Sequence, residues 1–206
     1  MFQSLKIYLS ILFMTVAYPA FSFQNPLDLY DFSASETSGS WIIDNDGVMG
    51  GVSRSQLSFS STGTILFQGS VSFDFGGGFT SVRSVFETVD AGNYNGLLIM
   101  VKGDGKTYQL RVRHQKQFDE VAFFQHFETT RGEWLEIFLP FIHFQASYRG
   151  RLLPDHPTLN RREISQIGLM VSDKQKGEFS LEVKRISFFD EERTKKRKIL
   201  TPKRNF

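Results

Sequence analysis

The sequence predicts an all-β protein, an antiparallel β-sandwich, and three observations carry the prediction. Apolar side chains recur at every second position through the body of the chain, the period of a strand with one buried face. Nine or ten such runs are separated by clusters of Gly, Asp and Asn, the spacing of a sandwich. Phenylalanine supplies 22 of the 206 residues, and with Val and Ile it favours strands over helices.

Taken in order, the chain opens on a leader. Met1 to Ser22 carries one charge, Lys6, then the apolar run Ile7 to Ala17, a break at Pro19, and Ala20 with Ser22 as a small-x-small cleavage pattern. This reads as a secretory signal peptide, its run short of the roughly 20 residues that a spanning helix needs. An uncleaved anchor is the alternative. The mature chain is expected to begin at Phe23 and to be periplasmic or secreted. The sequence has no cysteine, which excludes a lipid-modified anchor, a disulfide framework, a thiolate metal site and a cysteine nucleophile.

The least generic stretch is Trp41 to Ser53, answered by Gly76 to Arg83. Asp44-Asn45-Asp46-Gly47 is a dense turn signal, because Asx side chains bond their own backbone and Gly takes positive φ without penalty. Gly50-Gly51 allows a second reversal or a close backbone approach. Asp44 and Asp46 read as an Asx-rich turn; calcium is the alternative, although the third ligand position and distal Glu of a helix–loop–helix calcium loop are missing. Arg83 falls inside an alternating strand and needs a carboxylate partner there, for which Asp46 is the expected one.

The strand runs follow. Residues 55–59 come first, and in Thr64 to Phe73 the side chains of Ile65, Phe67, Val71 and Phe73 share a face with Gly69. Residues 79–88 form the next, and Gly96 to Val101 is apolar on both faces, which predicts a fully covered central strand. Tyr108, Leu110 and Val112 alternate with Gln109, Arg111 and Arg113. Residues 120–127, 133–139 and 165–171 repeat the pattern, and in 177–189 Phe179, Leu181 and Val183 alternate with Ser180, Glu182 and Lys184. One or two helical turns are expected near Pro140 to Ala146. Residues 148–163 read as a long irregular loop, a frequent place for function; its Arg149 and Arg151, beside Tyr148, could hold a carboxylate or phosphate. Pairing with acids of the same domain is the plainer reading.

The tail from Arg193 to Phe206 holds seven of the 24 basic residues and no acid, so residues 23–192 carry 16 basic against 22 acidic residues, about −6. The chain therefore divides into a leader (1–22), one sandwich domain (23–192) and a basic tail (193–206) expected to be disordered and able to touch an anionic membrane surface. Export and the lack of interleaved aromatics argue against nucleic acid. No nucleophile elbow, phosphate loop or zinc-spaced histidine pair is present, and the four histidines (His114, His126, His143, His156) are scattered.

Several of these motifs in register resemble one family. Trp41…Asp46-Gly47-Val48-Met49-Gly50-Gly51-Val52-Ser53, Gly77 to Ser84, Gly103-Asp104-Gly105-Lys106-Thr107-Tyr108, Trp134 with Leu139-Pro140-Phe141, Tyr148-Arg149-Gly150-Arg151 and Gly168 to Gln175 are similar to the signature of the complex I intermediate-associated protein 30 family. One departure is Phe73-Asp74-Phe75, where a polar, Asn-rich turn fits that pattern better. The resemblance implies a galactose-binding-domain-like sandwich, or jelly roll, and a non-catalytic assembly factor that acts on a protein client; from the residues themselves no cofactor and no metal is expected. The alternative from another class is an extracytoplasmic carbohydrate-binding module using exposed rings, for which Trp41, Trp134, Tyr94 and Tyr148 are the candidates. An enzyme built on the Arg149–Arg151 loop is a third reading. The binding residues expected from the sequence are thus Trp41, Asp44, Asp46, Arg83, Tyr148, Arg149 and Arg151. Coplanar exposed rings would favour a glycan; a contiguous exposed apolar patch would favour a protein.

Overall fold

The computed structural model describes residues 26–33, 40–116, 120–172 and 175–190; the expected leader and basic tail lie outside them. The described residues form β1 (Leu27–Asp31), β2 (Trp41–Asn45), β3 (Arg54–Ser60), β4 (Thr64–Val71), β5 (Thr80–Val89), β6 (Gly96–Lys102), β7 (Thr107–Arg113), β8 (Ala122–Glu128), β9 (Trp134–Pro140), β10 (Gln145–Tyr148), β11 (Arg151–Leu152), β12 (Ile164–Val171) and β13 (Gly177–Phe189). Three short 3-10 turns at Asp46–Met49, Asp74–Gly76 and Phe141–His143 interrupt them.

One sheet runs β3-β4-β13-β6-β9, with β1 paired to β13 past the end of β4; the other runs β11-β10-β8-β7-β12-β5-β2. All strand pairings are antiparallel. The all-β sandwich expected from the sequence is what forms. Its nine clearest runs are β3 to β9, β12 and β13. The four strands that the alternation did not reveal, β1, β2, β10 and β11, are short; a pattern of period two needs more residues than these to stand out.

The inner faces meet as an aromatic-rich core. Phe67 on β4 packs edge-on against Phe179 on β13 at 4.8 Å, Phe179 meets Tyr108 on β7 at 6.5 Å, and Tyr108 stacks on Phe127 of β8 at 5.9 Å. This chain of rings crosses from one sheet to the other, each offset or tilted pair adding to what area burial alone supplies. In β13 a bulge between Val183 and Arg185 shifts the parity. Phe179, Leu181 and Val183 face the core before it, and Ile186 and Phe188 after it; without the extra residue the latter two would face solvent.

Two expectations fail here. On β6, Leu97, Ile99 and Val101 are buried but Leu98 and Met100 only half so, because they lie on the outer side of a two-layer sandwich, beside the edge strand β9. Residues 148–163 are not wholly irregular: β10 and β11 make a hairpin, and the rest is tied down by Ala91 N–H on the Arg161 carbonyl (2.8 Å) and Arg161 on the Tyr94 carbonyl (2.8 Å).

Candidate functional site

The Trp41–Ser53 stretch folds into β2, the 3-10 turn, and a loop that reaches β3. Asp46 is fully buried at the start of that turn. Its Oδ1 accepts the Ser53 N–H at 3.0 Å, and its Oδ2 accepts the Ser53 hydroxyl (2.5 Å), the Gly78 N–H (2.7 Å) and the Phe79 N–H (3.3 Å). The Ser53 hydroxyl oxygen in turn accepts the Ser72 N–H at 2.9 Å. One carboxylate therefore clamps the 46–53 loop to the 72–79 loop. The glycines make room for it: a Cβ on Gly51 would lie 2.4 Å from the Asp46 carboxyl carbon, and one on Gly77 2.5 Å from Oδ2. Burial raises the carboxyl pKa, but the hydrogen bonds from Ser53, Gly78 and Phe79 lower it by more, so Asp46 titrates below the usual carboxylate range.

Asp44, two residues earlier on β2, points elsewhere. It stands opposite Ser81 on the outer face of the seven-stranded sheet, and its Oδ2 accepts Arg83 Nε at 2.8 Å. The expected Arg83–Asp46 pairing is thus replaced by Arg83–Asp44. The reason is the period of the strand: Asp44 shares the face of Arg83, whereas Asp46 lies past the end of β2 and turns inward. The two acids do not converge, and each carboxylate is engaged by protein donors. Among the described residues no three His, Asp or Glu side chains gather as a metal cluster.

The same outer face carries groups that the sequence did not single out together. Register places Gly168 of β12 between Arg83 on β5 and Arg111 on β7. Arg111 donates to Gln109 Oε1 (2.7 Å) and Ser147 Oγ (3.3 Å), and its guanidinium lies 5.5 Å from the Phe124 ring. The alternation of Gln109, Arg111 and Arg113 was visible in the sequence; which strands lie beside them was not.

Tyr148, Arg149 and Arg151 sit on the β10–β11 hairpin at the other edge of this sheet, separated from β2 by the four strands β8, β7, β12 and β5. Tyr148 pairs with Arg151 across a two-residue turn whose central residues, Arg149 (φ 47) and Gly150 (φ 77), both have positive φ, the type I′ pattern of a tight hairpin. The Arg149 guanidinium lies 5.3 Å from the Tyr148 ring. The seven expected binding residues therefore divide between two places and make no single site.

The rings do not form a platform. Tyr94 is buried, contrary to expectation, and packs on Phe188 at 6.0 Å. Trp41 is half-buried against Tyr30 and Phe32. Trp134 and Tyr148 are exposed, but on different sheets, each with a cation near its face. Of the exposed apolar side chains, Met49 and Val52 lie on one clamped loop and Phe73 and Phe75 on the other, while Leu27, Ile42, Ile43, Phe59, Ile142 and Leu152 are exposed elsewhere. The loops touch where a Gly51 Cβ would meet Gly77 Cα at 2.8 Å.

The same two-sheet antiparallel β-sandwich is found among solved carbohydrate-binding modules. A family 11 carbohydrate-binding module from a cellulosomal cellulase of Clostridium thermocellum aligns with a TM-score of 0.62 at 15% identity, covering 82% of this chain and 96% of that one. The Clostridium thermocellum module in complex with a β-1,3-1,4-mixed-linked tetrasaccharide gives 0.60 at 14%, over 80% and 96%. At these identities the likeness is one of fold. Sequence is more specific: the model of the family described as complex I intermediate-associated protein 30 matches residues 30–183, from β1 into β13, and the chain belongs to that family. The mouse protein of that name, designated mitochondrial, is 29% identical over 181 residues, covering 78% of this chain and 55% of its own; the Drosophila melanogaster protein is 27% identical over 177, covering 75% and 60%. The chain thus spans little more than half the length of these relatives.

Proposed function

We propose that this protein is a non-catalytic binding factor that holds a protein client during assembly of a larger complex, a reading that fits its family's description as complex I intermediate-associated protein 30. The observation that carries this reading is the family match, which runs through both sheets and the clamped loops. The exposed Met49, Val52, Phe73 and Phe75 on those neighbouring loops support it, since exposed apolar side chains grouped in one region mark interaction sites. The signal-peptide reading of Met1–Ser22 adds that the client is met outside the cytoplasm.

The test is an affinity capture of the mature protein, tagged at Phe23, from detergent-solubilised envelope, with quantitative mass spectrometry. Enrichment of respiratory-chain subunits, or of one other membrane complex, over an unrelated sandwich domain is the expected result. No enriched protein, together with retention on a polysaccharide array, would overturn it in favour of glycan binding.

A further inference from the structure

We propose that the paired tips of the clamped loops, Met49 and Val52 with Phe73 and Phe75, are the docking knob of this protein. Its occupant is an apolar pocket on a partner protein, rimmed by basic side chains. This rests on the binding-factor reading and names the surface and the partner chemistry that the reading leaves open.

Phe75 is 79% exposed and Met49 69% exposed, on adjacent loops. Phe75 also holds φ 56 and ψ 29, a left-handed conformation that a bulky aromatic residue rarely adopts and that the surrounding structure must impose. The imposing element is the Asp46 clamp, which fixes Gly78 and Phe79 just after the tip. An aromatic ring is thus held outward on a rigid base, the preorganised form in which a side chain loses least entropy on binding.

Charge selects among occupants. Asp74 is exposed between the two phenylalanines, its carboxylate accepting the Ser72 hydroxyl at 2.8 Å, and residues 23–192 carry about −6. A second copy would bring Asp74 against Asp74, and four side chains fall well short of the ~800 Å² per partner that a stable interface buries. Insertion into a bilayer would carry the Asp74 carboxylate toward hydrocarbon with the rings that flank it. A basic-rimmed protein pocket meets both the rings and the acid.

Ile142 supplies the control. It is 86% exposed, more than any side chain of the knob, but follows the end of β9 that pairs with the start of β6, at the far end of the thirteen-residue β13 from the clamp. The full chain is expressed in its native cells with benzoylphenylalanine in place of Phe75 or of Ile142, irradiated, and the adducts identified by mass spectrometry, with circular dichroism confirming the fold. One protein crosslinked from position 75 at least about tenfold over position 142, with Asp74→Lys reducing that adduct about tenfold and Asp74→Asn less, is the expected result. A protein adduct from position 142 in equal or greater yield would overturn the knob and leave the binding-factor reading standing. Adducts to lipid or to a second copy from position 75 would overturn the stated occupant. No protein adduct from either position would overturn the knob, and the affinity capture then decides the broader reading.

Discussion

Two turns in this molecule hold a non-glycine residue at positive φ, Phe75 and Arg149 among the described residues, and they are held in different ways. Arg149 sits in a two-residue hairpin whose own strands close the turn, with Gly150 beside it and Tyr148 paired to Arg151. Phe75 sits in a loop whose shape is set by Asp46, more than thirty residues away in sequence from the Gly78 and Phe79 amides it binds. Local pairing suffices for the first; the second depends on a buried charge. The difference teaches which surface features can drift freely and which are tied to the stability of the whole domain.

The largest expected effect therefore comes from Asp46. Asp46→Ala leaves the Ser53, Gly78 and Phe79 donors without their acceptor in a buried site, and about 3–5 kcal/mol of stability should be lost, roughly 10 °C or more in Tm. Chemical denaturation with unchanged m-value would measure it, and a loss below about 1 kcal/mol would break the contrast between the turns. The effect is pH-linked. Because the folded-state pKa of Asp46 is depressed, its contribution is present above the unfolded value of about 3.9 and fades as pH falls through the folded value. Asp46→Asn should flatten that part of the acid limb. A residual slope is expected from Asp31, whose carboxyl is also lowered, chiefly by the Ser33 hydroxyl and amide.

Next in size is Gly51→Ala. Its Cβ would meet the Asp46 carboxyl carbon at 2.4 Å and Gly77 Cα at 2.8 Å, so displacement of the clamp should cost about 2–3 kcal/mol. In the Asp46→Ala background the first clash disappears, and the same substitution should cost less by about 1 kcal/mol or more. Simple additivity in a double-mutant cycle would show that the glycine is needed for its backbone path and not to admit the carboxylate.

What could be read from the sequence follows the same division. The sandwich was legible because Phe67, Phe179, Tyr108 and Phe127 each announce a buried face by period two. The 148–151 turn was open to reading as a hairpin from its Gly150, although the sequence alone made it part of a long loop. Asp46 was singled out but given the wrong partner: Arg83 lies in the answering motif, and parity along β2 hands it to Asp44. What spacing does not carry is that a carboxylate can be satisfied by backbone amides, since every residue type has one. The glycines at 51 and 77 were the available signal, pointing to a close approach without naming what approaches. The exposed cluster of Met49 and Phe75 was hidden because exposure at a loop tip depends on how two distant loops are joined.

The smallest effects are expected where the turn is local. Gly150→Ala should cost about 1 kcal/mol, the penalty for a Cβ at φ 77. Arg149→Ala keeps a side chain at positive φ and loses the approach of the guanidinium to the exposed Tyr148 ring, an interaction of about 0.5–1 kcal/mol at a surface, so Tm should move by a few degrees at most. Phe75→Ser sharpens the comparison. The ring is mostly in water and the backbone stays clamped, so stability should change by less than about 0.5 kcal/mol, while affinity capture of the protein client, which Arg149→Ala leaves intact, is lost. If Phe75→Ser instead destabilised the domain as Asp46→Ala does, the ring would belong to the clamp, and its exposure would say nothing about a partner.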